Sequence, residues 1–269
     1  MTRYAVIGDP VSHSKSPIIH SGFAKQTGED IEYSKVRVTE AELEDFVKEF
    51  FATGGGGLNV TLPHKEAVFA LADNSSDRAR LAKAANTLWV DDNLSLHADN
   101  TDGAGLVRDL KHNLNIELRN KSVLLLGAGG SARGVLPSII EERPSAIVVL
   151  NRTLSRAEQI RQDYKDLFQL DTGPLDLSPD QGFDLIINAT SSSIAGELPP
   201  LKPAIIGAHC CCYDLMYSDK PTPFMLWARE NGADLVSDGL GMLVEQAAES
   251  FFIWRGVRPE TENVIATLR

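Results

Sequence analysis

The sequence predicts an α/β protein in two parts, the second of them a doubly wound parallel sheet. Three observations carry this expectation. Apolar, strand-like runs recur near residues 122–126, 146–150, 184–188, 208–213 and 233–236, with room for a helix between them. A glycine-rich turn, Gly127-Ala128-Gly129-Gly130-Ser131-Ala132, follows the first run at once and opens an apolar helical pattern through Val135, Leu136, Ile139 and Ile140. About 120 residues with their own alternation of strands and helices precede that turn.

Each element has a local cause. Tyr4-Ala5-Val6-Ile7 forms a short strand ending at Gly8. Ser16-Pro17 then serves as a helix cap with proline in the first helical position. Residues 31–38 make a second strand. Leu43, Phe46, Val47 and Phe50 recur at helical spacing, and Gly54-Gly55-Gly56-Gly57 closes that helix as a turn. Leu58-Asn59-Val60 is a short strand leading to Pro63. Residues 87–90 and 94–98 pair as a hairpin around Asp91-Asp92-Asn93. Beyond the glycine turn, Pro137 removes one backbone bond from its helix, and a short strand is expected around 167–170. Residues 241–255 form an amphipathic helix with Leu243, Val244, Ala247, Ala248, Phe251 and Phe252 in one stripe.

Composition narrows the function classes. The 269 residues suit two modest cores, and a net charge of −11 argues against a nucleic-acid or anionic-membrane surface. Sites for anionic ligands must then be local basic or donor-rich pockets. The start lacks a signal-peptide profile and no apolar run approaches a membrane span, so a cytoplasmic protein is expected. The consecutive Cys210, Cys211 and Cys212 alternate faces of a strand and cannot close around one metal. No metal site is expected, and the triplet fits a buried core strand.

The glycine turn in its strand–turn–helix setting is the G-x-G-x-x-G/A arrangement of a dinucleotide-binding (Rossmann) fold. Glycines let the backbone turn tightly, and the helix N-terminus attracts a pyrophosphate. The next strand usually ends in an acid for the adenosine ribose. Here Asn151-Arg152-Thr153 stands there, with Arg156 shortly after. An acid grips a free 2′-hydroxyl and repels a 2′-phosphate; guanidinium groups reverse that choice, which favours NADP over NAD.

Reducing a carbonyl with such a cofactor needs a protein group to deliver a proton to oxygen. Lys65 is the candidate, near a helix start where the positive dipole end disfavours its ammonium. A lone lysine is ordinarily a surface residue. Asp102, in Asp99-Asn100-Thr101-Asp102-Gly103 after the hairpin, can pair with it, orient it and accept a hydrogen bond from a substrate hydroxyl. Alone, Asp-Gly after a strand would be a turn.

In combination these segments resemble the shikimate dehydrogenase family from end to end. Ser12-His13-Ser14-Lys15-Ser16-Pro17 is similar to its substrate-carboxylate motif, Asn59-Val60-Thr61-Leu62-Pro63-His64-Lys65 to its N-V-T-x-P-x-K segment, and Asn100-Thr101-Asp102-Gly103 to its N-T-D-G. Ala85-Asn86-Thr87, Asn188-Ala189-Thr190-Ser191, Tyr213-Asp214-Leu215-Met216-Tyr217 and the run 238–247 follow in the family's order. Three departures stand out: Ser193-Ile194 occupies a position where glycine is usual, Ser131 one where alanine is common, and the triplet Cys210-Cys211-Cys212 is unusual for the family.

The resemblance implies a substrate domain of residues 1–102 completed by 239–269, with an NADP domain of 103–238 inserted. It implies NADP-dependent interconversion of 3-dehydroshikimate and shikimate, with Lys65 and Asp102 catalytic. Ser14, Ser16 and Tyr217 would donate to the substrate carboxylate. Asn59, Thr61, Asn86 and Gln246, with Lys65 and Asp102, would complete the substrate site; Gln246 lies off its helix's apolar stripe, facing either solvent or a cleft. Gly127, Ala128, Gly129, Gly130, Ser131, Asn151, Arg152, Thr153, Arg156, Thr190, Leu215, Gly239 and Met242 would hold the cofactor. The partner is a small-molecule substrate, bound by a monomer or a homodimer. The alternatives are a quinate/shikimate dehydrogenase preferring NAD, a non-catalytic module sensing a ring acid, and a generic NADP reductase. The first is disfavoured by the arginines, the second by retention of Lys65 and Asp102, and the third by the unexplained first hundred residues.

Overall fold

The computed structural model describes residues 1–176, 182–193 and 195–269. The chain begins with β1 (Thr2–Gly8), α1 (Ser16–Thr27), β2 (Ile31–Arg37), α2 (Leu43–Ala52), β3 (Gly55–Val60), α3 (Lys65–Leu71), β4 (Asn74–Ser75), α4 (Asp77–Ala82), β5 (Thr87–Val90), β6 (Leu96–Asp99) and α5 (Asp102–Arg108). It continues through β7 (Ser122–Leu126), α6 (Gly130–Glu141), β8 (Ala146–Asn151), α7 (Leu154–Tyr164), β9 (Leu170–Pro174), β10 (Phe183–Asn188), β11 (Ile206–Asp214), α8 (Pro223–Glu230) and β12 (Leu235–Ser237). Two helices, α9 (Leu240–Arg255) and α10 (Glu262–Leu268), close it. Among the described residues, no helix is long and apolar enough to cross a membrane.

Two compact units result, residues 1–108 with 243–269, and residues 109–242. The boundaries fall after Arg108, the last residue of α5, and after Met242, in the first turn of α9. Gly105 of α5 sits so close to Gln246 that a Cβ there would lie 2.6 Å from the Gln246 Cβ. The first turn of α9 belongs with the second unit, where the Met242 amide donates to the Tyr213 hydroxyl at 3.3 Å.

In the first unit a six-stranded sheet runs in the order β2-β1-β3-β5-β6-β4. β1 is parallel to β2 and β3, whereas β5 is antiparallel to β3 and β6. That reversal places the start of β5 at the same edge as the ends of β3 and β6. Thr87 accordingly pairs with both Asn59 and Asp99. Ala5, Ile7, Leu58, Leu88 and Ala98 of the sheet meet Val47 and Phe51 of α2 and Val68 of α3 in one core. Ile19 and Phe23 of α1 meet Val244, Ala247, Ala248 and Phe251 of α9 in another, where truncating a buried ring such as Phe251 costs about 3–5 kcal/mol.

Three local expectations need correction. Ser16 is the first residue of α1 rather than its cap, and Lys15 occupies the cap without a side-chain hydrogen bond. The glycine run is a turn only at Gly54, whose φ of +83° ends α2. Gly55, Gly56 and Gly57 are already strand, because aromatic rings lie directly over them. A Cβ would come within 2.1 Å of Phe50, 2.7 Å of Tyr4 and 2.4 Å of Trp254, respectively. Helix α9 is not amphipathic in effect, since its polar side chains Glu245, Gln246 and Ser250 are buried too. Glu245 is satisfied there by Arg108 at 3.0 Å and Thr261 at 2.6 Å. Phe252, placed in the stripe by the sequence, is 45% exposed, with the Arg258 guanidinium over its ring.

The second unit is a parallel six-stranded sheet ordered β12-β11-β10-β7-β8-β9. Strand order reverses between β7 and β10, the doubly wound arrangement the sequence predicts. Leu124, Leu126, Leu150, Phe183, Ile186, Phe224 and Trp227 pack in one cluster that includes Cys210 and Cys212. All three thiols are buried. The short strand expected near 167–170 lies later, as β9. Pro137 is accommodated inside α6.

Candidate active site

The reversed β5 gathers the polar groups of the first unit at one sheet edge. Lys65 opens α3, and its carbonyl accepts from the Ala85 amide at 2.9 Å, which ties the helix start to the approach of β5. His64, just before it, is anchored by Nε2 at 2.7 Å from the Val38 carbonyl. Asp102 opens α5 after β6, and its amide donates to the Asn100 side chain at 3.1 Å. Lys65 and Asp102 lie thirty-seven positions apart in sequence, and Nζ donates to Oδ2 at 2.5 Å. Both are buried, at 9% and 4% exposure. A buried pair of this kind adds little net stability, so its cost points to chemistry.

Asn86 joins the pair to α9. Its amide nitrogen donates to Asp102 Oδ1 at 2.9 Å and to Gln246 Oε1 at 3.1 Å, while its carbonyl oxygen accepts from the Thr101 amide at 2.8 Å. Gln246 is therefore inward and not solvated. Asn59, at the end of β3, donates to Ser250 Oγ at 3.0 Å and to the Asn86 carbonyl at 3.2 Å. Ser14 and Ser16 sit together after β1, Oγ to Oγ at 3.1 Å. Thr61 follows β3, and its methyl lies 2.5 Å from where a Cβ on Gly8 would be. Of the expected substrate residues only Tyr217 belongs to the second unit, where it follows β11.

Several members of this network had no sequence signal. The Tyr33 hydroxyl donates to Asn59 Oδ1 at 2.7 Å, and burial pushes its phenol well above the ordinary range, so it remains a neutral donor. Ser250 lies 2.8 Å from Thr87 Oγ1 and 3.2 Å from Thr101 Oγ1. Beside them His20 is wholly buried, stacked on Tyr33 with ring centroids 4.1 Å apart. Burial pushes its pKa down to about 3, so it is a neutral ring at physiological pH. A run of small hydroxyl residues in strands and helices carries no pattern of its own.

In the second unit the expected cofactor residues line the C-terminal edge of the sheet. Gly127 has φ of +108°, and a Cβ on it would lie 2.9 Å from the Ala189 carbonyl oxygen. The tight turn and the close approach both require glycine. Gly129 caps α6 with no side-chain hydrogen bond, and Gly130, Ser131 and the turn residue Ala128 complete the cradle. A Cβ on Gly129 would meet nothing within 4 Å. A helix start with no side-chain cap and open space beside its glycine fits a pyrophosphate. At the end of β8 the Asn151 side chain donates to the Thr153 carbonyl at 2.8 Å and shapes the turn. Arg152 and Arg156 are exposed there. This donor set suits a 2′-phosphate better than a bare ribose.

Across the strand-order reversal, Thr190 donates through its hydroxyl to Asn188 Oδ1 at 2.7 Å, and the Leu215 amide donates to the Asn188 carbonyl at 2.9 Å. Gly239 packs on Leu215 so closely that a Cβ would lie 2.2 Å from its carbonyl oxygen. Met242 is held by Tyr213 as described. Ser193, in place of the usual glycine, is taken into this framework, since its hydroxyl donates to Asp214 Oδ2 at 2.7 Å. Ile194 lies outside the described residues.

A dinucleotide-type sheet with its own compact partner unit, the latter holding a buried lysine–carboxylate pair, defines a nucleotide-binding α/β class. Comparison with known proteins narrows it. Residues 6–88 match the shikimate dehydrogenase substrate binding domain, 109–195 the shikimate / quinate 5-dehydrogenase model and 239–269 the shikimate 5′-dehydrogenase C-terminal domain. The shikimate dehydrogenase (NADP(+)) of Alkalilimnicola ehrlichii is 52% identical over 268 residues, covering 99% of this chain and 98% of that one. The crystal structure of an Ael1 enzyme from Pseudomonas putida superposes with a TM-score of 0.94 at 44% identity, over 100% of this chain and 98% of the other. That of shikimate 5-dehydrogenase from Thermus thermophilus in complex with NADP(H) and shikimate gives 0.88 at 31% identity, over 99% and 98%. The chain belongs to the shikimate dehydrogenase family.

Proposed function

We propose that this protein is an NADP-dependent oxidoreductase that reversibly reduces 3-dehydroshikimate to shikimate, in the route to chorismate and the aromatic amino acids. The observation that carries the reading is the buried Lys65–Asp102 pair with Asn86 and Gln246 gathered on it. When bound, NADPH supplies hydride to the carbonyl carbon. Lys65 Nζ gives its proton to the oxygen that becomes the hydroxyl, and takes it back in the reverse direction. Asp102 fixes the ammonium through Oδ2 and accepts from a neighbouring substrate hydroxyl.

Ser14 and Ser16, whose hydroxyls lie 3.1 Å apart, hold the ring carboxylate as neutral donors, each weaker than an arginine would be. Selectivity then rests on the hydroxyl pattern, read by Asn59, Thr61, Asn86 and Gln246. A ligand that leaves one of these buried groups unpaired loses about 1–3 kcal/mol of binding. Arg152 and Arg156 supply the preference for a 2′-phosphate. The reading carries with it a cytoplasmic location and a small ring acid as the partner. The test is an absorbance assay of shikimate oxidation with NADP and with NAD at equal concentration. Turnover with NADP well above that with NAD is expected; turnover with neither overturns the assignment, and preference for NAD overturns the cofactor choice.

A further inference from the structure

At the edge of the second unit's sheet a carboxylate is buried with no basic side chain paired to it among the described residues. Asp214, the last residue of β11, is 0% exposed. Four donors converge on it. The hydroxyls of Thr222 and Ser193 donate to Oδ2 at 2.6 and 2.7 Å. The Met216 amide and Asn188 Nδ2 donate to Oδ1 at 3.1 and 3.3 Å. These groups come from the end of β10, the loop after it, the loop after β11 and the cap of α8, where Thr222 also accepts from the Met225 amide.

Closing the end of a strand does not require a buried charge, and burying one is costly. What this one fixes is the relation of two loops. Asn188, held by Asp214, accepts from both the amide and the hydroxyl of Thr190, and its backbone carbonyl accepts from Leu215. The end of β8, with Arg152, lies on one side of the strand-order reversal and suits the adenosine half of a dinucleotide. The loops after β10 and β11 lie on the other side, so they face its nicotinamide half.

We infer that Asp214 is a positioning residue for the nicotinamide half of the cofactor, holding Thr190 through Asn188 and Leu215 through the same loop pair. The inference rests on the NADP reading above. It is tested by calorimetric titration of NADPH and of 2′,5′-ADP, which keeps the adenosine and 2′-phosphate but lacks the nicotinamide. Asp214→Asn puts an amide N–H against donors. It should weaken NADPH about tenfold and leave 2′,5′-ADP unchanged. Ser193→Ala should weaken NADPH about threefold, and Ser193→Thr, which keeps the hydroxyl, should restore it. Unchanged NADPH affinity overturns the inference. So does an equal loss for both ligands, since Asp214 would then merely hold the unit together. Should Asp214→Asn fail to fold, the Ser193 pair decides on the same terms. A wild-type protein that fails to bind 2′,5′-ADP overturns the cofactor reading itself, and is told apart by that result.

Discussion

In the first unit the site is made of side chains sunk into a sheet edge: Lys65, Asn86, Asp102 and Gln246 are each less than a tenth exposed. In the second unit the turn at the end of β7 is made of backbone, with Gly127, Gly129 and Gly130 forming it and two exposed arginines beside it. The two edges therefore fail differently. A side-chain site is damaged by removing atoms, because the partners left behind are buried and unpaired. A backbone site is damaged by adding atoms, because a Cβ occupies space or forces φ. The first kind of damage should fall on chemistry and substrate choice, the second on cofactor binding.

The largest test of this contrast is Lys65→Ala. Turnover should fall by about 10²–10⁴-fold, the range of a lost general acid, with NADP binding unchanged. Steady-state kinetics and a separate NADP titration check it, and near-full turnover would break the side-chain half of the comparison. Gly127→Ala comes next. Its φ of +108° and the contact with Ala189 should cost roughly 1–3 kcal/mol of stability and most NADP affinity, while shikimate still binds. Denaturant midpoints and ligand titrations measure this; loss of both ligands together would show that the edges are not independent.

Removing Arg152 and Arg156 together should raise the KM for NADP about ten- to a hundredfold and leave that for NAD where it was. A parallel rise for both cofactors would mean that the arginines serve the turn and not the phosphate.

The smallest effect sharpens the first unit alone. His20 has its pKa lowered to about 3 by burial, below the ordinary 6.5. Its contribution to stability is thus present above the unfolded value and lost as pH falls from about 6.5 toward 3, at up to about 1.4 kcal/mol per pH unit. In His20→Leu, unfolding midpoints followed from pH 7 to 5 should decline less steeply than in the wild type. Identical slopes would mean that another group sets the acid limb.

How much was legible depended on distance along the chain. The strand, turn and helix around Gly127 are local, and periodicity with glycine chemistry places them within a residue or two. The hairpin at Asp91 was local too. The Lys65–Asp102 pair was proposed from two segments that no local rule joins, and the family resemblance tied them together. Tyr33 and Ser250 fall outside every motif, since isolated hydroxyls look the same in a core network as on a surface, and Thr87 and Thr101 stand inside motifs that give them no role of their own. Gly55, Gly56 and Gly57 read as a turn in the sequence because glycine signals flexibility, and only the rings of Phe50, Tyr4 and Trp254 that cover them show otherwise. The burial of α9's polar face was hidden in the same way: helical periodicity reports an apolar stripe and is silent about what surrounds the rest.

By itself the chain determined its alternating elements, the dinucleotide turn and the absence of an acid after β8, because each follows from backbone sterics and side-chain chemistry within a few residues. Only the tertiary structure decided that an antiparallel β5 would bring Asn86 between Lys65, Asp102 and Gln246, and that Asp214 would clasp two loops. Those arrangements are set by strand pairing and burial, which sum over residues far apart in sequence and leave no local trace.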